Sequence, residues 1–258
     1  MPAPAMAGGG ISGWSGPDAG KMRLIAGGPG GGGEIHAGLE FKLAPGWKTY
    51  WRAPGDSGIP PEFNWTGSEN IKAVKVHWPA PVRFKDDFGY NVGYKEDVVF
   101  PLTVTLGNDD KPARLNLTAQ FGICREICLP AEAKLSLSIR PDGVPSNQPA
   151  IEQALKSVPK AVVPGIEVAG VSARDAQGKV ILDVHITAGK GDKLDVFVEG
   201  PMDYYLEMPK KKETAQVGEE TFSIGVDGVS SAGDLTGKKF TVTVVQGSDA
   251  LERTVILE

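Results

Sequence analysis

The chain carries only two cysteines, Cys124 and Cys128, three residues apart in the stretch FGICREICLP (residues 121–130). Sulfur at this spacing supports several kinds of chemistry: a stapling disulfide, part of a metal site, or a redox pair that exchanges disulfides with other thiols. As a staple the bridge is weak, because chain-entropy reasoning gives about 2 kcal/mol for so short a loop against about 4.7 for one of a hundred residues. A zinc site needs two further ligands, and the three histidines (His36, His77 and His185) sit in strand-like contexts without ligand spacing. Soft donors also suit Cu(I), yet Met1, Met6, Met22, Met202 and Met208 form no cluster near the pair in sequence. Short loops with strained, accessible disulfides favour exchange. Spacing alone therefore puts redox function first and leaves a local disulfide, a metal site and two free thiols open.

The flanking segments must present these sulfurs. Leu115, Leu117, Ala119, Phe121 and Ile123 alternate on the way in, and Leu129, Ala131, Ala133, Leu135, Leu137 and Ile139 on the way out. All are odd-numbered, which predicts two strands of a hairpin facing one core, with Cys124 and Cys128 on the opposite side around a tight turn.

The same period-two texture runs from residue 34 to 140, in EIHAGLEFKLA, IKAVKVHW, VVFPLTVTL, ARLNLTAQF and KLSLSI. Turn signals such as Pro45-Gly46, Pro54-Gly55 and Gly107-Asn108 lie between them. MRLIA (residues 22–26) reads as a first strand, interrupted by the flexible loop GGPGGGGE. That loop lacks the Gly-Lys-Ser/Thr ending and following helix of a phosphate loop. SNQPAIEQALKSVP (146–159) is the one convincing helix, with Ser146 or Asn147 as cap, Pro149 in the first turn and Pro159 as stop. Alternation then resumes in KVILDVHI, KLDVFVEG, TFSIGV, KFTVTVVQ and ERTVILE.

The predicted fold class is all-β: two immunoglobulin-like antiparallel β-sandwich domains joined by a short helical linker. The boundaries are a flexible Gly/Pro/Ala-rich tail (1–21), a first sandwich (22–143), a linker with a short helix (144–164) and a second sandwich (165–258).

With 258 residues, 41% apolar and 23% charged, the chain is long enough for two cores. The net charge of −5 and the lack of a Lys/Arg stripe argue against nucleic acid as a partner, and Lys210–Lys212 reads as a solvated loop. No apolar run approaches the length of a membrane span, and the first twenty residues lack the charged and apolar regions of a secretory signal.

Three stretches carry a resemblance to a known family. FGICREICLPAEAKLSL resembles the active-site hairpin of the N-terminal, periplasmic, immunoglobulin-like domain of the thiol:disulfide interchange protein DsbD. RFKDDFGYNVGYKEDVVFPLTV is similar to that family's cap-loop region and the strand after it. LAPGWKTYWRAPGDSGIPPEFNW resembles its early aromatic segment, and more closely that of soluble DsbD-like proteins associated with cytochrome c biogenesis. The matches cover roughly residues 22–140. The second sandwich resembles the extra module of suppressor-of-copper-sensitivity relatives in architecture only. The family's best-known members have a longer stretch between their cysteines, and full-length DsbD has a membrane conduit and a thioredoxin-like domain that are not part of this sequence.

The resemblance implies that Cys128 is the nucleophile and Cys124 the resolving cysteine, with Phe88 as a cap over their disulfide. Asp86, Asp87 and Gly89 surround that cap, and the two carboxylates would disfavour a thiolate by like charge until a partner docks. Tyr50 belongs to an aromatic rim with Trp47 and Trp51, residues that at strand spacing read equally well as core. The implied protein is a periplasmic protein-disulfide reductase whose cofactor is none beyond its redox-active disulfide. Its partners would be a thioredoxin-like or membrane DsbD-type electron donor and disulfide-containing periplasmic substrates, in cytochrome c assembly or copper tolerance. The competing readings are a two-domain binding scaffold with an incidental disulfide, and a Cu(I)-binding protein.

Overall fold

The computed structural model describes residues 10–87, 89–140, 147–189, 191–212 and 218–258. In chain order the first strands are β1 (Gly20–Gly31), β2 (Glu34–Leu43), β3 (Lys48–Gly55), β4 (Glu62–Asn64) and β5 (Ile71–Val76). They continue with β6 (Val82–Asp86), β7 (Gly89–Tyr94), β8 (Val98–Leu106), β9 (Ala113–Cys124) and β10 (Cys128–Ile139), followed by helix α1 (Gln148–Lys156). One sheet has the order β1-β2-β8-β5. The other runs β10-β9-β3-β7-β6, with β4 also on β9. The alternation that predicts these strands places Leu24, Leu39, Phe41, Phe100, Leu102, Leu115, Leu117 and Phe121 in the core. Phe41 of the first sheet meets Phe121 of the second edge to face, ring centres 5.0 Å apart.

The remaining strands are β11 (Ile166–Ala176), β12 (Lys179–Ala188), β13 (Leu194–Glu199), β14 (Tyr205–Leu206), β15 (Lys210–Lys211), β16 (Glu219–Asp227), β17 (Lys239–Gln246) and β18 (Asp249–Ile256). They form a sheet β11-β12-β16-β14, with β15 on β16, and a sheet β13-β17-β18. Their shared core includes Val168, Leu182, Val184, Val196, Ile224, Phe240, Val242 and Val244. The architecture is thus all-β apart from one α-helix and a short 3-10 turn among the described residues, in antiparallel immunoglobulin-like sandwiches.

Four details differ from the sequence-based expectations. Residues 10–19, expected in a mobile tail, run beside β1 instead, with backbone pairing of Ile11 to Ile25 and Ser15 to Met22. The glycine-rich stretch does not interrupt the first strand. β1 continues to Gly31 and turns through Gly31, Gly32 and Gly33 at φ 84°, 60° and 78°, a left-handed run that L-residues resist.

The helix expected in the linker is docked. Ile151 is fully buried, and the hydrogen atoms of Gly27 leave room for it: a Cβ there would lie 2.8 Å from Ile151 Cδ1. The Gln148 side-chain oxygen also accepts the Gly28 N–H at 2.8 Å. Asn147 begins the helix through its carbonyl, while its amide nitrogen donates to the carbonyls of Gly10 and Ala26. Ser146, the other cap candidate, lies outside the described residues.

Lys210–Lys212, read as a solvated loop, is ion-paired. Lys210 meets Glu207, Lys211 meets Glu220, and Lys212 meets Asp183. Asp183, 6% exposed, also accepts from Arg174 and Ser223. Burial pushes its carboxyl up, but the hydrogen bonds from Ser223, Lys212 and Arg174 outweigh it and hold the pKa at about 2.

By contact the chain forms two compact units. One contains the chain up to Pro54, Gly58–Val82 and Val92–Lys156. The other contains Ser157–Glu258 together with two short segments from earlier in the sequence, Gly55–Ser57 and Arg83–Asn91.

Candidate redox site

The hairpin of β9 and β10 sets the sulfurs opposite each other. Its register pairs Leu115 with Leu137, Leu117 with Leu135 and, beside the turn, Cys124 directly with Cys128. Each hydrophobic pair fixes the next, since a one-residue slip would turn every leucine out of the core. The loop is Arg125, Glu126 and Ile127, with Ile127 70% exposed. The two Cα atoms lie 4.1 Å apart and the sulfurs are joined as a disulfide.

The two sulfurs differ in surroundings. Cys124 is 2% exposed, whereas Cys128 is half-buried. The parity argument holds along the middle of the hairpin and fails at its tip. Leu129, expected in the core, is 45% exposed, although its cross-strand neighbour Ile123 is buried.

β3 lies on the other side of β9, pairing Lys48 with Cys124 and Thr49 with Ile123. The buried Thr49 hydroxyl donates to the Gly122 carbonyl at 2.9 Å, fixing the strand's height. The next residue, Tyr50, is fully buried, and its hydroxyl oxygen stands 3.0 Å from Cys128 Sγ. Gly122 makes that possible: a Cβ on it would come within 2.9 Å of the Tyr50 ring and 2.7 Å of Ile59 Cβ. Of the three aromatic candidates, Tyr50 is thus both core and site. Trp51 is core and Trp47 is half-buried, with the Arg125 guanidinium 5.9 Å from its ring centre.

The other candidates fall in the second compact unit. Asp86 ends β6, and its carboxylate accepts from Asn91 Nδ2 at 2.6 Å. Asn91 is fully buried and in turn accepts from the backbone and hydroxyl of Ser57. Asp87 is exposed in the turn. Gly89 adopts φ 137°, with the Asp56 carboxylate where a side chain would stand. Phe88, the expected cap, lies outside the described residues. Sequence reasoning missed Asp56, Asn91 and Gly122. The Gly55-Asp56-Ser57-Gly58 turn was the only local signal for Asp56, and nothing local marked the other two.

The histidines are engaged away from the sulfurs: His77 with Thr103, His36 beside Gln148, and His185 with Ser172 and Thr221. Burial, then the charge of Lys75, lowers the His77 pKa. Met22 is buried in the core and Met202 is fully exposed. No helix among the described residues is long and apolar enough to cross a membrane.

A family model described as "Thiol:disulfide interchange protein DsbD, N-terminal" matches residues 28–139, the stretch that contains both cysteines and Tyr50. Residues 28–139 form a DsbD N-terminal-like domain. A second family model, a domain of unknown function, matches residues 157–258. The chain is also similar to the crystal structure of the N-terminal periplasmic domain of ScsB from Proteus mirabilis. That likeness has a TM-score of 0.76 and 26% identity, covering 96% of this chain and 98% of that one. No curated protein matches significantly. The stretch similar to the N-terminal domain of DsbD thus contains both Cys124 and Cys128.

Proposed function

We propose that this protein is a periplasmic thiol–disulfide exchange protein that passes reducing equivalents through Cys128 and Cys124 to disulfides in partner proteins. The observation that carries the reading is the cross-strand disulfide at a hairpin tip, with one sulfur sheltered and the other half-exposed, within a DsbD N-terminal-like domain.

Reduction of the pair begins with a donor thiolate attacking Cys128 Sγ. The intramolecular S–S bond breaks, and the electron pair leaves on Cys124. The donor's second thiolate then attacks its own sulfur in the mixed disulfide, releasing Cys128 as thiolate with the donor oxidised. In the productive direction the Cys128 thiolate attacks a substrate disulfide and one substrate thiolate leaves. Cys124 closes on Cys128, and the second substrate thiolate leaves. Two electrons and two protons pass from donor to substrate, and the disulfide is restored. Tyr50 supports the step in which Cys128 carries negative charge, because its hydroxyl donates to the sulfur across 3.0 Å. The resemblance supports a cap role for Phe88, with Asp86, Asp87 and Gly89 around it, keeping other oxidants and thiols away until a partner docks.

The donor is a thioredoxin-like protein or domain, and the resemblance supports a setting in cytochrome c assembly or copper tolerance. Trapping tests the reading. The Cys124→Ser protein, reduced and mixed with periplasmic extract, is expected to accumulate a mixed disulfide through Cys128, whereas Cys128→Ser is not. Trapping by Cys128→Ser alone would reverse the two roles. No adduct in either variant, with partner binding intact in the double serine variant, would leave a scaffold.

A further inference from the structure

The strand β18 stands at the edge of its sheet, with β17 on one side. Alternation along the strand sorts its backbone groups. The Leu257 N–H donates to the Lys238 carbonyl at 3.0 Å, so odd positions turn their N–H groups toward β17. Even positions turn the other way. The Glu252 N–H donates to the Lys160 carbonyl at 2.9 Å, and the Ala250 carbonyl accepts the Lys160 N–H at 2.8 Å. Lys160 thereby forms a parallel bridge on Leu251, a strand of one residue added to the edge.

The added segment covers only half of that edge. After Lys160 the chain leaves β18 and turns tightly at Gly165, φ 82°, where the Ile166 N–H donates to the Val163 carbonyl at 3.2 Å. It then enters β11, the edge strand of the other sheet. By the same parity Thr254 and Ile256 direct their N–H groups to the open side, and among the described residues no segment pairs with them there. Native edges are commonly blunted by a bulge, a proline or a lysine. The β17–β18 register runs without a bulge from Lys239 and Ile256 to Gln246 and Asp249, and Thr254, Val255 and Ile256 carry neither charge nor proline.

Between the edges of β18 and β11 lies a cavity of about 630 Å³, lined by Val162, Val163, Ile166, Val168, Leu251 and Thr254 among others. Arg253 spans it, its guanidinium donating to the Val168 carbonyl at 3.3 Å with the Glu167 carboxylate 4.0 Å away. Val162 at the lip is 77% exposed, and Ile256 is 59% exposed. A small apolar molecule would use these walls and leave the outward amides idle. An extended polypeptide uses both, since its backbone takes the edge and alternate side chains enter the gap.

We propose that the open half of the β18 edge is a docking site for an extended segment of a partner protein, with apolar residues at alternate positions, which adds to the sheet as a strand. The site lies wholly within residues 157–258 and makes no use of Cys124 or Cys128. It gives the cysteine-free domain a binding role of its own, one that stands or falls separately from thiol exchange.

The test uses the full chain, its Thr254→Pro and Val162→Ser variants, and a phage-displayed library of random octapeptides. Proline at position 254 removes one outward N–H and leaves the bonds to β17 in place. Peptides selected on the parent and counter-selected on either variant are expected to alternate apolar and polar residues. At saturation a synthetic copy should slow hydrogen exchange of the Thr254 and Ile256 amides by about tenfold or more. Its affinity should fall by about tenfold in Thr254→Pro and by a few-fold in Val162→Ser. The exposed Val162 site keeps the test open if the proline variant fails to fold, and unchanged protection of β17 amides verifies the fold of both. Absence of any enriched peptide overturns the proposal, as does a bound peptide that leaves those two amides unprotected. Saturable uptake of anilinonaphthalene sulfonate, weakened by Val162→Ser and unaccompanied by peptide binding, overturns it in favour of a small apolar ligand.

Discussion

The Tyr50 hydroxyl lies 3.0 Å from Cys128 Sγ, and the ring that delivers it rests on the bare backbone of Gly122. The contact joins residues 78 positions apart in sequence. It singles out one sulfur of a symmetric-looking pair, since the half-exposed cysteine is also the one with a hydroxyl beside it. A hydrogen bond to a charged partner contributes about 1.5–3 kcal/mol, enough to separate the two cysteines in reactivity.

Tyr50→Phe keeps the ring and removes the hydroxyl. Alkylation of Cys128 by iodoacetamide at pH 7, measured in the Cys124→Ser background, is expected to slow by about tenfold, the equivalent of about 1.4 kcal/mol. An unchanged rate would mean that the hydroxyl is only a packing neighbour of the sulfur.

Gly122→Ala places a methyl group where the Tyr50 ring and Ile59 already stand. Overpacking of this kind costs about 1–3 kcal/mol, and the displaced ring should carry its hydroxyl away from Cys128. Urea denaturation should show the stability loss, and Cys128 alkylation should slow as it does for Tyr50→Phe. A variant as stable and as reactive as the parent would contradict the packing role of this glycine.

Ile151→Ala probes the docking of α1. Truncating a fully buried isoleucine costs about 2–5 kcal/mol when the site cannot collapse. The loss should appear in the unfolding of the cysteine-bearing unit and leave the exchange protection of β12 and β16 unchanged. A loss below about 0.5 kcal/mol would describe a helix that behaves as a linker after all.

Asp183 gives the second sandwich an acid limit. Its folded pKa of about 2 lies below its ordinary value of 3.8, so the unfolded chain binds more protons between those values. Stability from this group is fully present above about pH 4 to 5 and is lost as the pH falls through 2. The shift corresponds to about 2 kcal/mol. Stability measured by denaturant at pH 5 and pH 2.5 should fall more for the parent than for Asp183→Asn. Equal falls would assign the acid sensitivity to other carboxylates.

The strands were legible because their signal is local. EIHAGLEFKLA, ARLNLTAQF and KLSLSI each declare a buried face by alternation, and their registers follow from keeping those faces inward. The hairpin that carries the cysteines was legible for the same reason, while spacing left open what the two sulfurs do. Leu129 departs from the pattern next to the turn, where a period-two count no longer says which face is covered. The helix was placed correctly by its prolines, but not its docking, because the Ile151 pocket is made by Gly27 on a distant strand.

By itself the sequence determined two β-sandwich domains, a hairpin carrying Cys124 and Cys128 about its turn, and the family likeness that points to thiol exchange. Tertiary structure decided which cysteine is the less buried, that Tyr50 stands beside it, and that Arg83 and Asp56 bond to residues more than a hundred positions away. The division has a physical cause. Alternation and turn chemistry act between residues a few positions apart, so they are written in the sequence. A hydroxyl beside a sulfur, or a guanidinium on two carbonyls more than a hundred residues away, exists only after the sheets have brought those strands together.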